Sequence, residues 1–112
     1  MNQEKLKGLI GLTRRAGQLS LGMDTVLKRL KSGQCAAVLM DDAAAPNTRK
    51  RLAEAASVAQ VPLFTVPEEL LDMATGQSGR IAAAVSRGGL ADQMILLFTT
   101  AGQADYATDF KR

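Results

Sequence analysis

The chain has 112 residues, 46% hydrophobic and 4% aromatic, with a formal net charge of +3. These values predict one folded domain with a real core and exclude a disordered polyelectrolyte. No apolar run approaches the ~20 residues of a membrane helix, and the start, Met1-Asn2-Gln3-Glu4-Lys5, lacks the apolar stretch of a secretory leader. The single cysteine, Cys35, has no partner for an internal disulfide, so the reducing cytoplasm is the expected compartment.

In chain order, Leu6, Leu9, Ile10 and Thr13 recur at helical spacing and predict a helix from about Gln3 to Ala16. Arg14 and Arg15 in its last turn suit the dipole, and Gly17 stops it. Leu19-Ser20-Leu21 alternates as a very short strand. A second helix is expected from Gly22 to just before Gly33, with Met23, Val26, Leu27 and Leu30 as its apolar stripe. Asp24, Lys28 and Lys31 fall on its other side, with Thr25 beside Lys28.

Cys35 to Met40 is continuously apolar, the pattern of a central, parallel strand buried on both faces, and it ends at Asp41-Asp42. Asn47 is the expected N-cap of a third helix from Thr48 to Ala59. The basic start of that helix, Arg49-Lys50-Arg51, opposes the dipole and calls for a nearby anion. Val61 to Val66 reads as a strand with Pro62 at its tolerated first positions. Pro67 opens a short helix through Glu68 and Glu69 to Ala74, and Thr75 to Gly79 forms a loop. Ile81 to Val85 is the next strand. After the Gly88-Gly89 break, Leu90, Met94, Ile95, Leu97 and Phe98 mark a last helix.

Alternating strands and helices with short links predict an α/β fold, a single-domain three-layer α-β-α sandwich around a central mixed sheet. The domain is expected over residues 1–99, with residues 100–112 as a flexible tail.

Charge is unevenly divided. Residues 1–51 carry ten Lys or Arg against four Asp or Glu, and residues 52–112 carry four against seven. Such a split suits a basic face that meets a polyanion, although solvated helix faces produce the same statistic.

Catalysis has little to work with. There is no His, so the commonest general base and metal ligand are missing. Cys35 opens an apolar strand and reads as a buried structural thiol. Asp41 and Asp42 lie where α/β enzymes often place acids, but Ala43-Ala44-Ala45 adds no ligands, and turn roles fit them better. No dinucleotide or phosphate-loop spacing occurs. No cofactor and no metal are expected.

Two segments remain. Gly22-Met23-Asp24-Thr25-Val26-Leu27-Lys28 puts a glycine at a helix N-terminus, where free N–H groups bind phosphate, with Lys28 and Lys31 further on. An ordinary amphipathic helix would look the same. Thr75-Gly76-Gln77-Ser78-Gly79-Arg80 combines two glycines that admit close backbone approach with hydroxyl, amide and guanidinium groups. It also reads as a polar turn or, through Gly76 and Gly79, as a weak match to a GXXG RNA clamp.

The ordered set of parts resembles the kink-turn-binding ribosomal proteins of the archaeal large-subunit L7Ae group, and within that family the short bacterial YlxQ-type members, over about residues 3–98. Gly8-Leu9-Ile10-Gly11-Leu12 and Arg14-Arg15-Ala16-Gly17 open it. Gly22, Lys28 and Gly33 match the spacing of the family's Gly-x-Asn-Glu-x-x-Lys segment and following glycine. Ala37 to Ala43, Val61-Pro62-Leu63, and Leu71, Ala74 and Gly76 complete it.

The resemblance implies a non-catalytic protein that binds a kinked RNA helix. The first turn of the second helix (Gly22, Asp24, Thr25, Lys28) would face tandem sheared G·A pairs. The loop (Thr75, Gly76, Gln77, Ser78) would cover a flipped-out base. With the charge reading, the candidate RNA-binding residues are Arg14, Arg15, Gly22, Met23, Asp24, Thr25, Lys28, Lys31, Thr75, Gly76, Gln77, Ser78, Gly79 and Arg80. Ribosomal RNA and ribosome or translation proteins are the expected partners, with no DNA and no membrane. Asp24 stands where the family has Asn and Thr25 where it has Glu. An ionised Asp only accepts hydrogen bonds and repels phosphate. Ser20-Leu21 replaces the basic lead-in of many relatives. The alternative expectation is a protein-interaction adaptor of the same fold, whose acidic second half, with Glu68, Glu69 and Asp72, meets a basic partner.

Overall fold

The computed structural model describes residues 3–100. Five helices and four strands alternate: α1 Gln3–Arg15, β1 Leu19–Leu21, α2 Met23–Ser32, β2 Cys35–Asp41, α3 Pro46–Ala59, β3 Leu63–Val66, α4 Leu70–Thr75, β4 Ala82–Ser86 and α5 Gly89–Thr100. The strands form one mixed sheet in the order β1-β4-β2-β3. β2 is central, as its apolar run predicts. It is parallel to β3 but antiparallel to β4, so the expected parallel strand has only one parallel neighbour.

Successive residues of a strand point to opposite faces, and this divides β2 between two cores. Ala37 and Leu39 join Leu6 and Ile10 of α1, Leu70 and Leu71 of α4, and Met94 and Phe98 of α5. Val38 and Met40 join Val26 and Leu30 of α2 and Leu52 and Ala56 of α3. The three layers are therefore α1/α4/α5, sheet, and α2/α3. Phe64 of β3 and Phe98 of α5 stack with ring centroids 4.4 Å apart. Burial of two aromatic rings outweighs their small number in anchoring α5.

Small residues bring helices close. A methyl placed on Gly11 of α1 would stand 3.3 Å from the Ala74 carbonyl oxygen of α4 and 3.4 Å from Arg15 Nη1. The glycine thus lets α1 approach the α4 backbone closely at this point.

Several boundaries differ from the sequence reading. α3 begins at Pro46 with Ala45 as N-cap, and Asn47 lies inside its first turn. Proline at N1 lacks only an N–H that the helix would leave unused, and its fixed φ starts the helix early. The anion that its basic start calls for is Asp42. Arg49 Nη2 donates to the Asp42 carbonyl at 2.9 Å and lies 3.9 Å from Oδ1. α4 begins at Leu70, because the Glu69 N–H donates to Asp41 Oδ2 while Glu69 holds a φ of 67°. Asp41 is buried, and its other oxygen accepts the Ala43 N–H at 2.7 Å. Asp41 and Asp42 thus both hold turns. α5 runs on to Thr100, and the rest of the expected tail, 101–112, lies outside the described residues.

Candidate functional site

β1 and β4 pair antiparallel, with Leu21 opposite Ala83, and the Gly22 N–H donates to the Ala82 carbonyl at 3.1 Å. That pairing sets the N-terminus of α2 beside the start of β4, hence beside the 76–81 loop that feeds β4. Gly22 adopts φ 103° and ψ 146° at the N-cap, a backbone region open essentially to glycine alone. No side chain caps the helix there, so its first N–H groups stay available to an acceptor. Arg80 Nη1 lies 4.0 Å from the point where a Cβ on Gly22 would stand. Its Nε is buried without a hydrogen-bond partner among the described residues. An unpaired charged donor is costly, and an incoming anion would relieve it.

The loop is held by a residue that sequence reasoning missed. Asp72 Oδ2 accepts the Gly79 N–H at 3.1 Å and Oδ1 accepts the Arg80 N–H at 2.8 Å. Gly79 turns there with φ 70°. The available signal was local: an acid in a short helix, seven residues before a glycine and eight before an arginine, can fold a turn back on itself. The adaptor alternative counts Asp72 with Glu68 and Glu69 in an acidic second half that meets a basic partner, whereas its carboxylate is turned to the loop.

The candidate residues do not all converge. Asp24 and Lys28 are exposed on the first two turns of α2, and Met23 and Thr25 are half-buried beside them. Gln77 is half-buried and Ser78 exposed, and neither side chain has a hydrogen-bond partner among the described residues. Thr75 offers less than expected, because its hydroxyl donates back to the Leu71 carbonyl at 2.7 Å. Gly76 caps α4. Arg15 is exposed and Arg14 half-buried in the last turn of α1. Lys31 stands apart. It is roughly 12 Å along α2 from Met23 and lines an open groove with Leu27, Arg51, Ala55 and Val58. Among the described residues, Arg14, Arg15, Lys28, Lys31 and Arg80 have no carboxylate partner.

Nothing in this arrangement suggests bond chemistry. No group of three or more His, Cys, Asp or Glu that could hold a metal occurs among the described residues. Cys35 is buried, its Sγ donates to the Ala37 carbonyl at 3.1 Å, and burial pushes its pKa up. A thiol that resists ionisation is a poor nucleophile. No helix among the described residues is long and apolar enough to cross a membrane. What the site offers is a helix end, a pinned loop and unpaired cations.

Comparison with known proteins agrees with this architecture. The profile of the ribosomal protein L7Ae/L30e/S12e/Gadd45 family matches residues 4–95. The RNA-binding protein YlxQ of Bacillus subtilis (strain 168) is 30% identical over 90 residues, 80% of this chain and 90% of that protein. A protein with unknown function from Bacillus halodurans C superposes with a TM-score of 0.80 at 29% identity, over 85% of this chain and 97% of the other. The Giardia lamblia 15.5kD RNA binding protein shares the fold alone, with a TM-score of 0.73 at 18% identity over 88% and 85% of the two chains. Sheet, helical layers and profile agree, and the chain belongs to the ribosomal protein L7Ae/L30e/S12e/Gadd45 family as a non-enzymatic member of the YlxQ type.

Proposed function

We propose that this chain binds structured RNA, and that the RNA is a kinked helix gripped between the N-terminal turn of α2 and the 76–80 loop. The observation that carries the reading is the meeting of Arg80 with Gly22. Arg80 Nη1 lies near the uncapped N-terminus of α2, and the Nε of the same guanidinium is buried with no hydrogen-bond partner among the described residues. Helix-end N–H groups and arginine are both phosphate ligands, and here they stand near each other. The RNA-binding relative in Bacillus subtilis supports the same class of ligand.

In this reading Gly22, Met23, Asp24, Thr25 and Lys28 meet the paired stem, Arg80 holds a phosphate, and Gly76, Gln77, Ser78 and Gly79 border an unpaired base with Thr75 behind them. Arg14, Arg15 and Lys31 add charge around this core. Ribosomal RNA in the cytoplasm is the RNA class that fits the family, with ribosome or translation proteins as neighbours.

The test is titration of the pure protein against a kink-turn RNA and against a plain duplex of equal length, at low and moderate salt. Preference for the kinked RNA, weakening steeply with salt, is the expected result. Equal affinity for both would reduce the site to a general phosphate surface. Failure to bind either would leave the adaptor reading in its place.

A further inference from the structure

We infer that Arg29 and Arg87 form a second phosphate-binding point at the opposite end of α2, contacting the stem that runs on from the proposed RNA site. The inference rests on the RNA-binding reading above and adds a surface that the reading does not use.

Arg87 comes from the turn between β4 and α5 and reaches the C-terminal end of α2, where its Nε donates to the Gly33 carbonyl at 3.0 Å. Arg29, in the last turn of α2, donates from Nη1 to Gln34 Oε1 at 3.0 Å. Two guanidiniums distant in sequence are thus fastened to consecutive residues of one turn. Both charges act on the thiol of the next residue, Cys35, and no carboxylate acts with them. Neither arginine has a carboxylate partner among the described residues. Each holds on to a neutral acceptor with one of its five N–H donors. Among the described residues the remaining donors have no partner, and each of these bonds ties its guanidinium to the turn.

The helix dipole favours both cations at this end of α2, and it leaves their remaining donors free for a second, external anion. The turn that carries them is itself polar. Residues 31–34 and 87–89 are exposed and are all polar, charged or glycine. Of the large apolar side chains exposed on the described residues, Val58 lies in the groove that Lys31 borders on the α3 side, and the turn that holds Arg29 and Arg87 carries none of its own. Protein interfaces centre on apolar or aromatic anchors, whereas phosphate contacts need fixed, unpaired guanidiniums. Gly33 is roughly 16 Å along α2 from Gly22. In this proposal the stem lies along α2, and a duplex with a phosphate charge about every 1.7 Å of axis presents backbone over that whole length.

The experiment uses the full chain, its Arg29→Gln/Arg87→Gln double variant and the corresponding double lysine variant. Glutamine at 87 can still donate to the Gly33 carbonyl, and melting of each variant checks that the fold is kept. Two probes are titrated: a kink-turn RNA whose stem continues one helical turn past the kink, and the same RNA cut back to the kink. On the long RNA, wild-type affinity falls between about 50 and 200 mM salt, and the double glutamine variant is expected to show a fall about tenfold smaller, as loss of two phosphate contacts requires. The short RNA is expected to show no difference, and the lysine variant is expected to restore the salt dependence. If wild type binds both RNAs and the glutamine variant matches it on both, or loses equally on both, the second contact is wrong while the first site stands. If the variant keeps both RNAs but loses polyglutamate, the surface belongs to an acidic protein and the assignment to RNA falls. If wild type binds neither RNA, both proposals fail together.

Discussion

The Asp72 carboxylate accepts the backbone N–H of Arg80 at 2.8 Å, and its second oxygen takes the N–H of Gly79 at 3.1 Å. One acid in α4 therefore sets where the Arg80 side chain begins, and so whether its guanidinium can stand beside Gly22. Replacing Asp72 with Ala removes both acceptors. The expected loss is about 1–2 kcal/mol of stability, because the freed N–H groups are near the surface and water can reach them. Hydrogen exchange should quicken at Gly79 and Arg80 while the β2 amides stay protected, and affinity for structured RNA should fall. Unchanged exchange in the loop would mean that the turn holds itself.

Gly22 occupies a backbone conformation that other residues adopt only under strain. Space is not the obstacle, since the nearest atom to an added Cβ is 4.0 Å away. Gly22→Ala should therefore cost about 1–3 kcal/mol through φ and ψ alone, seen as a lower midpoint in urea. Relief of that strain would rotate the first turn of α2 away from Arg80, so RNA affinity should drop even at temperatures where the variant is fully folded. A variant of wild-type stability would show that the N-cap can relax into an ordinary conformation.

Asp24 separates stability from binding. As the second residue of α2 it is favoured by the helix dipole, worth about 0.3–1 kcal/mol at an exposed site. The same charge repels phosphate at the proposed interface. Asp24→Asn should lower the melting point slightly and raise affinity for structured RNA several-fold, with the gain shrinking as salt rises. A fall in affinity instead would show that Asp24 accepts a hydrogen bond from the RNA and belongs to the recognition surface as it is.

Burial raises the pKa of Cys35 above its ordinary value of 9.0. In the unfolded chain the thiol ionises near that value, while in the folded chain it remains protonated. The folded state then binds more protons than the unfolded state, and stability falls as pH climbs past about 9. The readout is the difference between wild type and Cys35→Ala, measured by urea unfolding from about pH 8 to 10. Wild type should lose more stability over that range than the alanine variant. Parallel curves would mean that the thiol ionises equally in both states. In the native state the thiol should also react slowly with thiol reagents, in step with global unfolding.

The order of elements was legible in the sequence because the signals for it are local. Helical spacing in Leu6, Ile10 and Thr13, the unbroken run from Cys35 to Met40, and stops at Gly17, Gly33 and Gly88 each concern a few neighbouring residues. The run in β2 also announced a strand covered on both sides, and the two cores bear that out. Local signals were weaker where a distant group decided the outcome. Pro67 reads as a helix start, yet the helix waits until Leu70 because Asp41, 28 residues earlier, holds the Glu69 N–H.

The candidate site divides in the same way. The uncapped glycine before α2 and the polar, glycine-rich loop after α4 could be picked out by composition and spacing. That they face each other depends on the antiparallel pairing of β1 with β4, which joins residues more than sixty positions apart. The role of Asp72 depends on the loop folding back over α4, and the meeting of Arg29 with Arg87 depends on β4 ending beside the C-terminus of α2. Sequence determined which chemical groups this protein owns and which short elements carry them. Only the tertiary structure decided which groups stand together, because closing a long loop is governed by the packing of the whole sheet and not by the residues at its ends.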